Sequence, residues 1–287
     1  MISSYTQIRV GGVPEHFNLP WHLAIENQKF ENQKITLQWQ DFPDGTGAMC
    51  KALRHQEIDI AVILTEGIIT DIANGNPSKI LQYYVLSPLL WGIHVPADSS
   101  YQKIEDLEGK IHAISRLGSG SHLMAYVNAH QQNWNLTDLK FEIINNLIGA
   151  RKALKNHQAD AFLWEKYTTQ PFVDNGEFRR VGVCPTPWAC FVLAVRNDVL
   201  EEKPEAIKAV QQVINQSCAE ITQIPNLVEV ISQRYQLKPK NVVEWLKLTQ
   251  WEIQPNLDPK SLEDVTNYLK MLDLIQDDFA IENLLIK

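Results

Sequence analysis

No window of about 18 uninterrupted apolar residues occurs in the 287-residue chain, so the sequence predicts no membrane-spanning helix. Basic residues are also in short supply. Lys and Arg number 26 against 34 Asp and Glu, the formal net charge is -8, and no basic run exceeds Arg179-Arg180. A nonspecific nucleic-acid binder needs a basic face to release phosphate counterions, so no nucleic acid is expected as a partner. Cysteine is scarce. Cys50, Cys184, Cys190 and Cys218 form no C-x-x-C pair and have no histidine at zinc-ligand offsets. They read as buried small hydrophobes, with a Cys184–Cys190 disulfide as the alternative, and no metal is expected. The opening stretch, MISSYTQIRVGG, lacks the charged and apolar regions of a secretory signal. The expectation is a cytoplasmic protein, the alternative a periplasmic one whose signal has been removed. G-x-S-x-G, H-E-x-x-H and P-loop patterns are missing too, which leaves no residue to name as catalytic and no cofactor to expect.

What is present suits a folded globular protein. Hydrophobic residues make up 45% and charged residues 21%. The length allows one large domain or two of ordinary size, with ample interior for a core. TQIRVGG reads as a strand, LPWHLAIENQ as a helix, KITLQWQ as a strand, TGAMCKALRHQ as a helix and IDIAVIL as a buried strand. This βαβαβ order predicts a parallel sheet with helices on both faces. KILQYYVLSPLLWGIHVP reads as two strands broken at Ser87-Pro88, suiting a crossing between domains. A second βα series begins near residue 92 and runs through KIHAIS, FEIINN and ADAFLW. After CPTPWACFVLAVRNDVL, which suits a return crossing, the last third is mostly helical, with prolines opening the helices.

The order of these elements resembles the type II periplasmic-binding-protein fold. The segments that carry the resemblance are GGVPEHFNLP after the first strand, HQEIDIAVILTEG, and KIEDLEGKIHAISRLGSGSH. The chain looks most like the branch that includes sulfonate, taurine and nitrate binding proteins and proteins handling thiamine pyrimidine precursors. A similar cytosolic family of this fold occurs in yeasts. The resemblance implies an α/β protein of two lobes, with residues 1–89 and 189–287 forming discontinuous lobe I and 90–188 forming lobe II. It also implies two hinge crossings, near Ser87-Pro88 and Pro187-Trp188, and a ligand held in the cleft between the lobes.

The candidate ligand-binding residues follow from loop chemistry. Gly118, Ser119, Gly120 and Ser121 precede a helix, whose unpaired N–H groups and positive end suit an anion or carbonyl oxygen. Gly45, Thr46 and Gly47 repeat the pattern in the other lobe. Ordinary helix capping is the alternative reading of both. Glu15 and His16 lie in the loop after the first strand, and His16 is a candidate for a charge switch near neutral pH. Thr65 and Glu66 end the third strand, where ligands sit in open α/β sheets. Trp164 and Glu165 end the strand ADAFLW, while Ser87 and Trp188 mark the crossings. Aromatic faces beside a few polar groups are the usual makeup of a small-molecule pocket.

The leading expectation is a solute-binding protein for a polar or heteroaromatic metabolite, such as a thiamine pyrimidine precursor. Its partner would be that small molecule, with an ABC permease only if the protein is exported. One alternative is an enzyme of the same fold acting on a pyrimidine or menaquinone precursor. A eukaryotic relative that makes the thiamine pyrimidine does so through a clustered cysteine motif that is missing here. A ligand sensor acting through a protein partner is the other alternative.

Overall fold

The computed structural model describes residues 5–286, which pack as two compact units. The chain passes between them at Ser87–Pro88 and again at Pro187–Trp188, so Trp188 belongs to the first unit. The strands are β1 (Thr6–Gly12), β2 (Ile35–Asp41), β3 (Ile60–Leu64), β4 (Ser78–Val85), β5 (Leu90–Pro96), β6 (Ile111–Ile114), β7 (Lys140–Ile143), β8 (Ala161–Glu165), β9 (Phe178–Pro185) and β10 (Phe191–Arg196). The helices are α1 (Leu19–Glu26), α2 (Thr46–Arg54), α3 (Thr65–Ala73), α4 (Gly120–Gln131), α5 (Leu147–Lys155), α6 (Gln170–Asp174), α7 (Asn197–Glu202), α8 (Pro204–Glu220), α9 (Leu227–Tyr235), α10 (Pro239–Leu248) and α11 (Pro259–Met271). None of the described helices is long and apolar enough to cross a membrane.

The first unit is built on a sheet of order β2-β1-β3-β10-β4. Its first three strands are parallel, as the βαβαβ pattern predicts. β10 runs antiparallel to both β3 and β4, so the sheet is mixed rather than parallel throughout. The reason is where the chain re-enters: Phe191, at the start of β10, lies opposite Leu64, at the end of β3. Every residue of β3 and β10 is buried, which accounts for their unbroken apolar runs. The outer edge of β4 is covered by the extended segment after α10, through Leu86 N–H to the Gln250 carbonyl, Glu252 N–H to the Tyr84 carbonyl and Tyr83 N–H to the Asn256 carbonyl. That cover removes an exposed pairing edge.

The amino end of β3 carries the unit's most buried ion pairs. The carboxylate of Asp59, 1% exposed, accepts from the Arg9 guanidinium at 2.6 Å and lies 3.4 Å from that of Arg196. Arg196 also reaches Asp198 at 2.7 Å.

The second unit has a sheet of order β7-β6-β8-β5-β9, again mixed: β6 is parallel to β7 and β8, and β5 is antiparallel to β8 and β9. Sequence reading passed over β9. Its charged Arg179 and Arg180 obscure the alternation, yet Arg179 is tied to the carbonyls of Ser99 and Tyr101, and Arg180 to that of Lys166. Helix α5 turns Ala150, Ala153 and Leu154, at i, i+3 and i+4, onto a core with Ala113, Phe162 and Phe178. All four cysteines are buried free thiols, and burial pushes the Cys184 thiol up to about 12.

Asp59→Ala should lower stability by about 3–5 kcal/mol, because it leaves the buried Arg196 guanidinium short of a partner. The check is urea unfolding of the variant beside the wild type.

Candidate functional site

In the first unit the parallel strands β1, β2 and β3 end at three loops that hold seven of the predicted residues. After β1, Glu15 precedes a single 3-10 turn, His16–Asn18, through which the chain enters α1. Glu15 is half-buried, and His16 is 2% exposed. The imidazole stacks on Phe17 at 4.9 Å and meets Trp245 edge-on at 4.3 Å. The carbonyl of Phe17 accepts from both Tyr84 Oη (2.7 Å) and Trp251 Nε1 (3.0 Å), which pins the turn to the core. Burial pulls the His16 pKa down to about 3, so the ring stays neutral and is no switch near neutral pH.

After β2, Gly45 caps α2 with φ +74°, a left-handed conformation suited to glycine. Thr46 is therefore the first helical residue, not the cap, and is buried, while Gly47 is half-buried behind it. The Thr46 methyl packs onto Gly67, where any Cβ would collide with it. Helices α2 and α3 thus meet at their first turns.

After β3, Thr65 and Glu66 open α3. Thr65 is held to the incoming return segment twice, its N–H to the Cys190 carbonyl (3.0 Å) and its Oγ1 to the Ala189 carbonyl (2.6 Å). Glu66 is 0% exposed. Its Oε2 accepts from Trp188 Nε1 at 2.8 Å, while Oε1 is buried with no hydrogen-bond partner. Burial raises the Glu66 pKa to about 7; its own backbone and the Trp188 N–H pull it back only in part. Trp188 in turn lies edge-on to Tyr268 of α11 at 5.5 Å. Ser87 stands apart from this group and accepts from the Gln250 N–H at 3.2 Å.

In the second unit the loop after β6 is a closed hydroxyl cluster. Ser119 is the N-cap of α4 and accepts from His122 N–H at 3.3 Å. Ser121 Oγ accepts from Ser115 N–H at 2.9 Å and lies 3.1 Å from Ser119 Oγ. Gly118 has φ +74° and gives its N–H to His122 Nδ1 at 3.1 Å. Gly120 begins the helix. The capping alternative thus accounts for much of this loop's hydroxyl chemistry. At the end of β8, Glu165 is buried and turns back on its own chain, accepting from Thr168 N–H at 2.6 Å. Burial raises its pKa, and the Arg180 charge opposes the shift. Trp164 stacks on Phe162 at 5.2 Å and joins the core cluster, so packing is its main role.

Residues 91–184 match the family described as Ca3427-like PBP, where PBP stands for periplasmic binding protein. The CA3427 gene product of Candida albicans, described as defining a new family with the generic periplasmic-binding-protein fold, is 26% identical over 97% of this chain and 94% of its own, with a TM-score of 0.89. This chain has the periplasmic-binding-protein fold. The alkanesulfonate-binding protein SsuA of Xanthomonas axonopodis pv. citri, bound to MOPS, superposes with a TM-score of 0.81 at 17% identity over 97% of both chains. The nitrate-binding protein NrtA of Synechocystis PCC 6803 does so at 0.72 and 14%, over 97% of this chain and 84% of its own. Curated protein sequences offer no match. At such identities SsuA and NrtA share the fold, and function must be argued from the site.

Within this periplasmic-binding-protein fold two polar residues escaped the sequence reading. Asn18, 1% exposed, gives its Nδ2 to the Val13 carbonyl at 2.7 Å and keeps a buried Oδ1 with no partner. His122 packs edge-on against Tyr126 and Phe141, and burial lowers its pKa. Asn18 stood inside the quoted segment GGVPEHFN, but its burial has no signature in sequence. Among the described residues no group of three or more His, Cys, Asp or Glu is arranged to hold a metal ion.

An acid whose folded pKa lies above its unfolded value binds more protons when folded, so stability falls as pH rises between the two. For Glu66 that window runs from about 4.5 to about 7. Wild-type stability should decline by about 3 kcal/mol across it, at ~1.4 kcal/mol per pH unit, while Glu66→Gln lacks that part of the slope. Urea midpoints at pH 5, 6, 7 and 8 for both proteins check this. Ser119→Ala should cost about 1 kcal/mol through loss of the α4 cap, read from the same kind of denaturation curve.

Proposed function

We propose that this protein is a solute-binding protein that holds a small polar or heteroaromatic metabolite, a thiamine pyrimidine precursor being one candidate, and carries out no reaction on it. The observation that carries the reading is the carboxyl end of β1 and β3 in the first unit. There Asn18 and Glu66 each hold a buried oxygen without a hydrogen-bond partner, in a fold whose structural relatives include sulfonate- and nitrate-binding proteins. Buried polar atoms are nearly always satisfied in native proteins, and the carboxyl ends of strands in open α/β sheets are where ligands sit. The candidate residues Glu15, Thr46, Thr65, Glu66 and Trp188 form the site on the first unit. Supply to an ABC permease is the role if the protein is exported.

Native mass spectrometry of the purified protein, followed by denaturation and identification of whatever is released, tests the proposal. The expected result is one small molecule per chain, lost under denaturing conditions. A clean protein that no metabolite extract stabilises against heat overturns the reading, and conversion of the bound molecule to a product would make the protein an enzyme instead.

A further inference from the structure

We infer that Glu66 sets the chemical class of the ligand: its Oε1 accepts an N–H from the bound molecule, so the site takes an amino-substituted heteroaromatic or an amidine in preference to a sulfonate or nitrate. This rests on the solute-binding reading above and makes it specific.

The geometry divides the carboxyl group into an engaged half and an unpartnered half. Oε2 is engaged by the indole N–H of Trp188, whose ring is braced by Tyr268. Oε1 is buried and has no partner. The side chain sits in the first turn of α3, where burial favours the acid and the helix's positive end the carboxylate, so an N–H arriving at Oε1 draws the group to its carboxylate form. The contacts that frame it are made by neutral groups. The return segment before β10 presents the Ala189 and Cys190 carbonyls to Thr65, α2 presents the Thr46 methyl to Gly67, and α11 presents Tyr268 to Trp188. No lysine, arginine or histidine contributes to the titration of Glu66. That sets it apart from Asp59, at the other end of the same strand, which has two guanidinium partners.

A buried acceptor without a donor bears its full desolvation penalty until one arrives. An N–H from an exocyclic amine or amidine relieves that penalty through a charge-assisted hydrogen bond. A sulfonate or nitrate brings only acceptors and would set negative oxygen against the carboxylate above pH 7, so the titrations are run at pH 8. Asn18 Oδ1, another buried acceptor without a partner, lies in the turn that follows β1.

The test titrates wild-type protein with 4-aminopyrimidine and benzamidine as donor probes, with pyrimidine as the matched ring lacking the amine, and with methanesulfonate and nitrate as anions. Tryptophan fluorescence and thermal unfolding are the readouts. The donor probes should bind the wild type, and Glu66→Gln, which puts an amide N–H2 or a rotated amide where Oε1 stood, should weaken them about 10- to 100-fold. Trp188→Phe, which keeps the ring but frees Oε2, should give a smaller loss. The thermal midpoint of each variant without probe establishes that it is folded. Equal binding of the donor probes to the wild type and a folded Glu66→Gln overturns the inference. If methanesulfonate or nitrate binds the wild type in preference, or if no probe of either class binds at millimolar concentration, the inference about Glu66 falls, while the solute-binding reading is decided separately by the native mass spectrometry above.

Discussion

Five residue pairs between β10 and β3, from Phe191 opposite Leu64 to Val195 opposite Ile60, join two stretches of chain that lie far apart in sequence. This antiparallel pairing makes the first unit possible. The chain leaves for a hundred residues to build the second unit, and closing so long an excursion has an entropic cost that grows only slowly with its length. A central, fully buried strand offsets it. The register does more than close the unit. With Phe191 fixed opposite Leu64, the residues just before β10 must run past the start of α3. The Thr65 N–H and hydroxyl take up the Cys190 and Ala189 carbonyls, and Trp188 arrives at the carboxyl group of Glu66. The best-defined contact of the candidate site is thus a consequence of strand register. The second unit is a single stretch whose two ends pair antiparallel, with Leu89 and Thr186 exchanging two hydrogen bonds beside the β5–β9 pair.

Strand β3 is flanked by two buried acids with opposite environments. Asp59, just before it, is saturated by its hydrogen bonds from Arg9 and its ion pair with Arg196. Glu66, just after it, has one indole N–H and no cation. Removing charges from water is costly, and the Asp59 end has gathered the partners that make such burial tolerable. A chain selected for stability alone would be expected to treat both ends alike. Violations of polar satisfaction concentrate where proteins do something other than fold, and β3 shows the contrast over five residues.

Much of this architecture was legible in the sequence, and the parts that were not share a cause. The βαβαβ start is spelled out by periodicity: KITLQWQ alternates, IDIAVIL does not, and the structure gives each the burial its pattern implies. Proline marks both crossings and opens α8, α10 and α11. By contrast the antiparallel sense of β10 depends on where a distant segment returns, which no local pattern encodes. Strand β9 was hidden because Arg179 and Arg180 break its apolar alternation, although their guanidiniums serve backbone carbonyls of the same unit. At the site, residue types were visible and partners were not. The Glu66–Trp188 bond spans 122 residues, and the neutrality of His16 follows from Trp245 and Phe17 closing over it.

The two units also differ in how much of their polar chemistry is already committed. In the second, Ser115, Ser119, Ser121 and His122 bond to one another and to their own backbone, and Glu165 closes its own turn. A loop so internally bonded is rigid, and a ligand meeting it must exchange existing bonds or use the remaining faces of those groups. Each new contact there then adds little net free energy. In the first unit Glu66 Oε1 and Asn18 Oδ1 have no bond to exchange, so a donor meeting them replaces a penalty with a hydrogen bond. Preorganisation without prior satisfaction is where a protein of marginal stability can place discrimination, because the unmade bond is paid for in folding and recovered only by the right ligand. On the solute-binding proposal, selectivity resides at the carboxyl end of β3.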